Sequence, residues 1–179
     1  MKIKISQVLN LPMPNESAQR YGKAFEYAVY ALLKTRDAAR AFNVFIWHYG
    51  EPHPGAFAKI MKLAPWAKEV ADVEPAPPVK LQIDGVTVSV QADFVVKYAD
   101  GRQEVVELKS HVLKKGEWRL KAEYLLQAKI ISYAYGMPAL LVYFQEEEDG
   151  RVAAKREKIR ASPVTLEVLR RRIRNYTVM

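Results

Sequence analysis

Cysteine is absent from this 179-residue sequence. That absence excludes disulfides, thiolate zinc sites, cysteine nucleophiles and iron–sulfur clusters held by cysteine. A phosphate-binding G-x-x-x-x-G-K-[ST] loop is also missing, so any nucleotide-driven motor acting with this chain has to be another protein. Internal repeats and low-complexity tracts are lacking. So are long apolar runs: the most apolar stretch, "IISYAYGMPALLVYF", is broken by Gly136 and Pro138. The opening "MKIKISQVLNLPMPNES" carries lysines without the apolar core and small-residue cleavage site of a secretion signal. The expectation is a soluble, cytoplasmic protein with no membrane partner. Histidine is scarce, and no Ser-His-Asp spacing can be built. His48 and His53 flank Glu51 in a Gly/Pro-rich segment that reads as surface loop, and His111 stands alone.

What the chain has is a large apolar fraction, 50% of its residues, and a net charge of +8. The length suits one domain with a substantial core. The charge is uneven. Residues 151–179 hold nine Lys or Arg against two acids, Glu157 and Glu167, a local excess of +7. Such a cluster is the footprint of a polyanionic partner, most simply nucleic acid, unless it is only a solvated basic helix.

Along the chain, apolar residues from Glu16 to about Trp47 recur at helical spacing (Tyr21, Phe25, Ala28, Val29, Leu32, Leu33), with Asn15 or Ser17 as N-cap. Residues 48–79 contain six of the ten prolines and read as an insertion or flap with a short helix around Ala56 to Leu63. From Lys80 the period changes to two, giving three strands of an antiparallel meander punctuated by Asp84-Gly85 and Asp100-Gly101. A long helix ending at Gly136, a core strand over "PALLVYFQEE", an edge strand over "RVAAKREKIR" and a C-terminal helix opened by Ser162-Pro163 complete the order. The expected class is α/β (α+β): a mixed sheet with flanking helices.

The stretch "VVELKSH", residues 105–111, interrupts that apolar pattern. On a strand, Glu107 and Lys109 share a face with Val105. The preceding strand carries one acid, Asp93. A two-residue loop at Asp100-Gly101 would put Asp93 opposite Leu108, with the acids on opposite faces. A three-residue loop Ala99-Asp100-Gly101, with Gly101 left-handed, would put Asp93 across from Glu107. Facing carboxylates in a mostly apolar sheet need positive charge between them, from Lys109 or from a hard divalent cation. Carboxylates, a cation and a lysine at that spacing suit phosphodiester hydrolysis. The competing reading is a sheet with a wet second face.

These residues resemble the PD-(D/E)XK nuclease superfamily, whose signature is Asp, then roughly ten to thirty residues, then Glu-x-Lys. "QAD" ends at Asp93 and "ELK" begins at Glu107, with Ala92 in place of the usual proline. The similarity extends to the RecB-like branch, including CRISPR-associated nucleases. "GKAFE" from Gly22 matches its N-terminal helix signal, with Glu26 where that branch has a metal-binding histidine. Gln127 matches the glutamine of the following helix, whereas Ile131 stands where a tyrosine is expected, leaving Tyr124 or Tyr133 to substitute. Without cysteine, the iron–sulfur subtype is excluded.

The resemblance implies a restriction-endonuclease-like core over residues 20–35 and 80–145. It implies Asp93, Glu107, Lys109 and Gln127 as catalytic residues, and Glu26, Asp93 and Glu107 as ligands of Mg²⁺ or Mn²⁺. It further implies a metal-dependent deoxyribonuclease, exonuclease or endonuclease, in repair, recombination or defence. The expected partner is DNA, single-stranded or branched before plain duplex, with a homodimer or a separate helicase or repair protein alongside. A non-catalytic nucleic-acid-binding or scaffold protein with the same fold is the alternative.

Overall fold

The computed structural model describes residues 1–178. Strands β2 (Val70–Pro75), β5 (Phe94–Tyr98), β6 (Gln103–Leu113), β7 (Ala139–Glu146) and β8 (Val152–Ile159) form the larger sheet in that spatial order. Its β6–β7 pair is parallel and the other three pairs are antiparallel. The parallel pair needs a crossover, supplied by α5 (Trp118–Tyr135). A second sheet has the order β1 (Lys2–Lys4), β4 (Val86–Val90), β3 (Val79–Ile83), with β1 parallel to β4. The remaining helices are α1 (Ile5–Val8), α2 (Glu16–Thr35), α3 (Ala38–Tyr49), α4 (Pro54–Glu69) and α6 (Pro163–Thr177).

Period-two alternation divides the larger sheet's residues between two apolar layers. Phe94, Val96, Val106, Leu140, Val142 and Phe144 join Phe25, Leu32, Phe45, Ile60 and Trp66 on the side of α2 to α4. Val95, Val105, Ala139, Leu141 and Tyr143 join residues of α5, α6 and the smaller sheet on the other side. Because both faces are covered, β7 reads as an unbroken apolar run. This is a mixed α/β architecture with flanking helices, as the sequence pattern suggests. Asn15 caps α2, its side chain accepting from Ala18 N at 2.8 Å, and Gly136 ends α5 in the left-handed region.

Two expectations need correction. The three-strand meander is four strands in two sheets. β3 and β4 form a hairpin through Asp84-Gly85 in the smaller sheet, and the chain then leaves the ladder at Gln91-Ala92-Asp93 before β5 begins in the larger one. Alternation runs through both strands without a break, so nothing in the period marks the change of sheet. Residues 48–79, expected to be a flap, are packed into the fold. α4 buries Ile60, Leu63 and Trp66, and β2 is an edge strand paired with β5. Among the described residues, no helix is long and apolar enough to cross a membrane.

Candidate active site

The β5–β6 hairpin sets the geometry. Its pairs run Phe94 with Val106, Val95 with Val105, Val96 with Glu104 and Lys97 with Gln103. Tyr98 N donates to Arg102 O at 2.9 Å, and Gly101 has φ +85°. This is the three-residue loop, and its register puts Asp93 and Glu107 on one face. The ladder stops at Phe94, so Asp93 sits just beyond it. Its N–H donates to Val106 O at 3.0 Å, and its Oδ2 accepts from Leu108 N at 2.7 Å. Gln91, two residues before Asp93, is exposed and outside the ladder.

On β6, Lys109 Nζ lies 2.7 Å from Glu107 Oε1 and 2.6 Å from Gln127 Oε1, so one ammonium ties strand to helix. Glu107 and Gln127 are both buried, and Gln127 has the polar partner that burial demands. The Lys109 ammonium also stands over the ring of buried Tyr124, 5.1 Å from its centroid. Between the two tyrosines weighed from sequence, Tyr124 therefore joins this group, while Tyr133 is exposed. β6 then bulges: Leu108 pairs with Val142 and Val112 with Phe144, so three β6 residues oppose Tyr143 alone. The bulge carries Lys109 and Ser110 out of the flat ladder, a common device beside functional sites.

Glu26 comes from α2. A pocket of about 240 Å³ is lined by Gly22, Glu26, Asp93, Glu107, Leu108, Lys109 and Ser110, so all three acids converge on one space. Gly22 faces Ser110, but a Cβ there would meet Ser110 Oγ at 3.5 Å, an ordinary contact. Asp93 keeps some surface as a residue, yet its carboxyl is enclosed. Burial first, then the charges of Glu107 and Glu26, push that carboxyl well above the usual carboxylate range, against the pull of Leu108 N–H and Lys109. Glu26 is held by Lys23 Nζ at 2.8 and 2.9 Å. With lysines on Glu26 and Glu107, no three His, Asp or Glu groups among the described residues stand in a metal-holding arrangement.

Two neighbours escaped sequence reasoning. Tyr135 Oη accepts from Ala92 N at 3.2 Å and donates to Pro77 O at 2.5 Å, bracing the break that delivers Asp93. Lys59, on the segment read as a flap, donates to Ser110 O at 2.6 Å. No local motif marks either residue. The C-terminal charge cluster also looks different in space, because acids from other elements answer most of it. Arg156 pairs with Glu69, Lys158 with Glu104, Arg172 with Glu123, and Arg170 and Arg174 with Asp84. Of Arg170 to Arg172, only Arg171 lacks a carboxylate within 4.0 Å among the described residues.

No protein-family model matches the chain, and no curated protein matches it by sequence. Solved structures do match. A candidate exonuclease from Eubacterium rectale superposes with a TM-score of 0.51 at 8% identity, over 93% of this chain and 68% of that one. The protein SSO0001 superposes at 0.49 and 16% identity, over 99% and 75%. An alkaline exonuclease from Laribacter hongkongensis superposes at 0.41 and 12% identity, over 89% and 90%. At such identity the likeness is one of fold alone, and the superposition on the Eubacterium rectale structure is consistent with a restriction-endonuclease-like core.

Proposed function

We propose that this chain is a divalent-metal-dependent deoxyribonuclease of the PD-(D/E)XK type, similar to the RecB-like branch and folded as a single nuclease-like domain. The observation that carries this reading is one ammonium, Lys109, fixed by Glu107 and Gln127 beside an enclosed acid, Asp93, whose charge is opposed by two further acids. A purely structural sheet gains nothing from that placement. Burying carboxylates that repel one another costs stability unless a cation relieves them.

In donor chemistry, though not in the lysine-paired arrangement of the described residues, the set suits such a cation. Asp93, Glu107 and Glu26 offer hard oxygens on one pocket wall, which is the chemistry Mg²⁺ or Mn²⁺ takes. When bound, the cation supplies Lewis-acid polarisation of a phosphoryl oxygen and an acidified water. The protein's own part is positioning and charge. Gln127 and Glu107 hold Lys109 so that its ammonium meets negative charge developing on the scissile phosphate. The Tyr124 ring beneath it keeps one side of the ammonium dry, so its interaction with a phosphate is screened less. Tyr135, by bracing Ala92, keeps Asp93 from drifting with the strand break.

The substrate on this reading is DNA, single-stranded or branched, in repair, recombination or defence. A homodimer or a separate helicase or repair protein would supply what one chain lacks. The alternative is a non-catalytic nucleic-acid-binding protein with the same core, which is favoured by the lysines already compensating Glu107 and Glu26. The two separate on cleavage of labelled oligonucleotides with Mg²⁺ or Mn²⁺, wild type beside Lys109→Ala. Metal-dependent cleavage lost in the variant supports the nuclease, and binding without cleavage under any metal supports the alternative.

A further inference from the structure

A larger cleft opens beside the acidic pocket and shares Gly22, Leu108, Lys109 and Ser110 with it. Its volume is about 870 Å³, toward the upper end of the roughly 300–1,000 Å³ usual for ligand clefts. The walls are the segment before α2, α2 itself, the β6 bulge, the start of α5, and His53 and Lys59 of the α4 region. Three lysines line it, Lys23, Lys59 and Lys109, against one acid, Glu117. Lys23 is paired with Glu26 and Lys109 with Glu107, while Glu117 turns to His111 and Lys114 N. Lys59 has no carboxylate within 4.0 Å among the described residues.

Its surroundings are unusual for a free ammonium. Nζ sits over three aromatic rings, Tyr21 at 5.0 Å, Phe144 at 5.3 Å and Phe25 at 5.7 Å. Its oxygen partners are Ser110 O at 2.6 Å and Tyr21 Oη at 3.3 Å, both neutral. Ring faces and a carbonyl hold a cation in place without cancelling its charge. Burial accordingly pushes the Lys59 ammonium down to about 8, with no counter-charge to pull it back. A fixed, under-compensated cation in a cleft that runs on to the proposed catalytic lysine is suited to an anion.

We propose that Lys59 forms a second phosphate subsite, taking a backbone phosphate of a single strand that flanks the one facing Lys109. The strand then lies in the cleft between α2, α4 and the β6 bulge. This assignment rests on the nucleic-acid substrate of the reading above, and it fixes where that substrate runs. Lys59 contacts substrate away from the bond that breaks, so it is a positioning residue. Because it also holds Ser110 O, it sets the bulge that carries Lys109.

The test is fluorescence anisotropy of the full chain with fluorescein-labelled oligothymidine in EDTA, where no cleavage competes. Salt is varied between about 50 and 200 mM. Loss of one single-strand phosphate contact lowers the slope of log affinity against log salt by about 0.7, which is about fivefold in affinity at 0.1 M salt. Lys59→Met should show that loss, and Lys59→Arg should keep the wild-type slope. A second arm varies the probe and not the protein. Single linkages of the probe are replaced in turn by neutral methylphosphonates, and one of them should weaken wild type about fivefold and leave Lys59→Met indifferent. A wild-type slope and affinity in folded Lys59→Met would overturn the subsite and leave Lys59 as a strut for the bulge. So would methylphosphonate costs that are the same in both proteins. Cleavage of the same probe by wild type in Mg²⁺ is scored separately. Cleavage with no Lys59 effect sinks the subsite alone, and a Lys59 effect without cleavage sustains the subsite and sinks the nuclease.

Discussion

Replacing Asp93 by Asn should make the metal-free protein more stable while abolishing cleavage. Asn keeps the volume and an oxygen that can still accept from Leu108 N. What it removes is a charge enclosed by protein and opposed by Glu107 and Glu26. Leaving an ion uncompensated in a protein interior costs several kcal/mol at full burial, and the partial compensation by Leu108 N–H and Lys109 trims the expected gain to about 1–2 kcal/mol. For a chain of this length each kcal/mol moves Tm by about 2–4 °C, so the variant should melt roughly 2–8 °C above wild type in EDTA. The sign also fixes the pH dependence. A carboxyl raised above its unfolded value binds its proton more tightly in the folded protein, so its contribution falls as pH rises above about 3.8. The wild-type deficit against Asp93→Asn should therefore grow from pH 4 toward neutrality. Mg²⁺ or Mn²⁺ should then stabilise wild type and leave the variant unmoved. The assay is a melting series by circular dichroism, with and without each metal. A variant less stable than wild type in EDTA would refute the reasoning, because Asp93 would then be a structural anchor for Leu108 and not a strained ligand.

Tyr135→Phe removes the hydroxyl shared by Ala92 N and Pro77 O, so the fold should lose about 1–2 kcal/mol and cleavage should fall with it. Unchanged activity would separate the strand break from the site. Lys59 predicts a rise in stability with pH. Between its folded value near 8 and its ordinary 10.5, the unfolded chain binds more protons than the folded one, so denaturation midpoints should climb from pH 8. The climb should reverse above about 10, where Tyr21, Tyr98 and Tyr124, pushed up to about 12 by burial, favour the unfolded state. Urea melts at pH 7.5 and 9.5 read this, and Lys59→Met should lack the gain. Replacing Arg170, Arg171 and Arg172 by Gln should lower the salt slope of DNA binding by at most about one contact's worth, 0.7 to 0.9, because Arg170 and Arg172 are already paired. A drop near three contacts would mean the pairs open to reach DNA.

The hairpin and the E-x-K face were legible because local chemistry decides them. Asp100-Gly101 marks the turn, the structure selects its three-residue form over the two-residue one, and that register brings Asp93 to Glu107. Gln127 was legible through the resemblance, and the structure gives this buried amide Lys109 as its partner. Events set by long-range packing were not legible. β4 and β5 share one alternating pattern, and only their different partners, β1 and β3 against β2 and β6, place them in separate sheets. Proline content suggested a flap at 48–79, yet Pro54 merely opens α4 and Pro65 is accommodated within it. The C-terminal basic run was visible as charge, while the acids that answer it, Glu69, Glu104, Glu123 and Asp84, come from distant positions. Lys59 and Tyr135 act through one carbonyl and one amide of the site, contacts that no spacing rule anticipates.

The most direct test of the central claim is cleavage of end-labelled single-stranded, duplex and branched DNA with Mg²⁺ or Mn²⁺, comparing wild type with Lys109→Ala at saturating protein. Removing a positioned charge that acts on the developing transition state typically costs about 10²–10³ in rate. We predict metal-dependent cleavage by wild type that falls at least that far in Lys109→Ala with binding nearly kept. Full cleavage by Lys109→Ala, or none by wild type on any substrate with either metal, would contradict it.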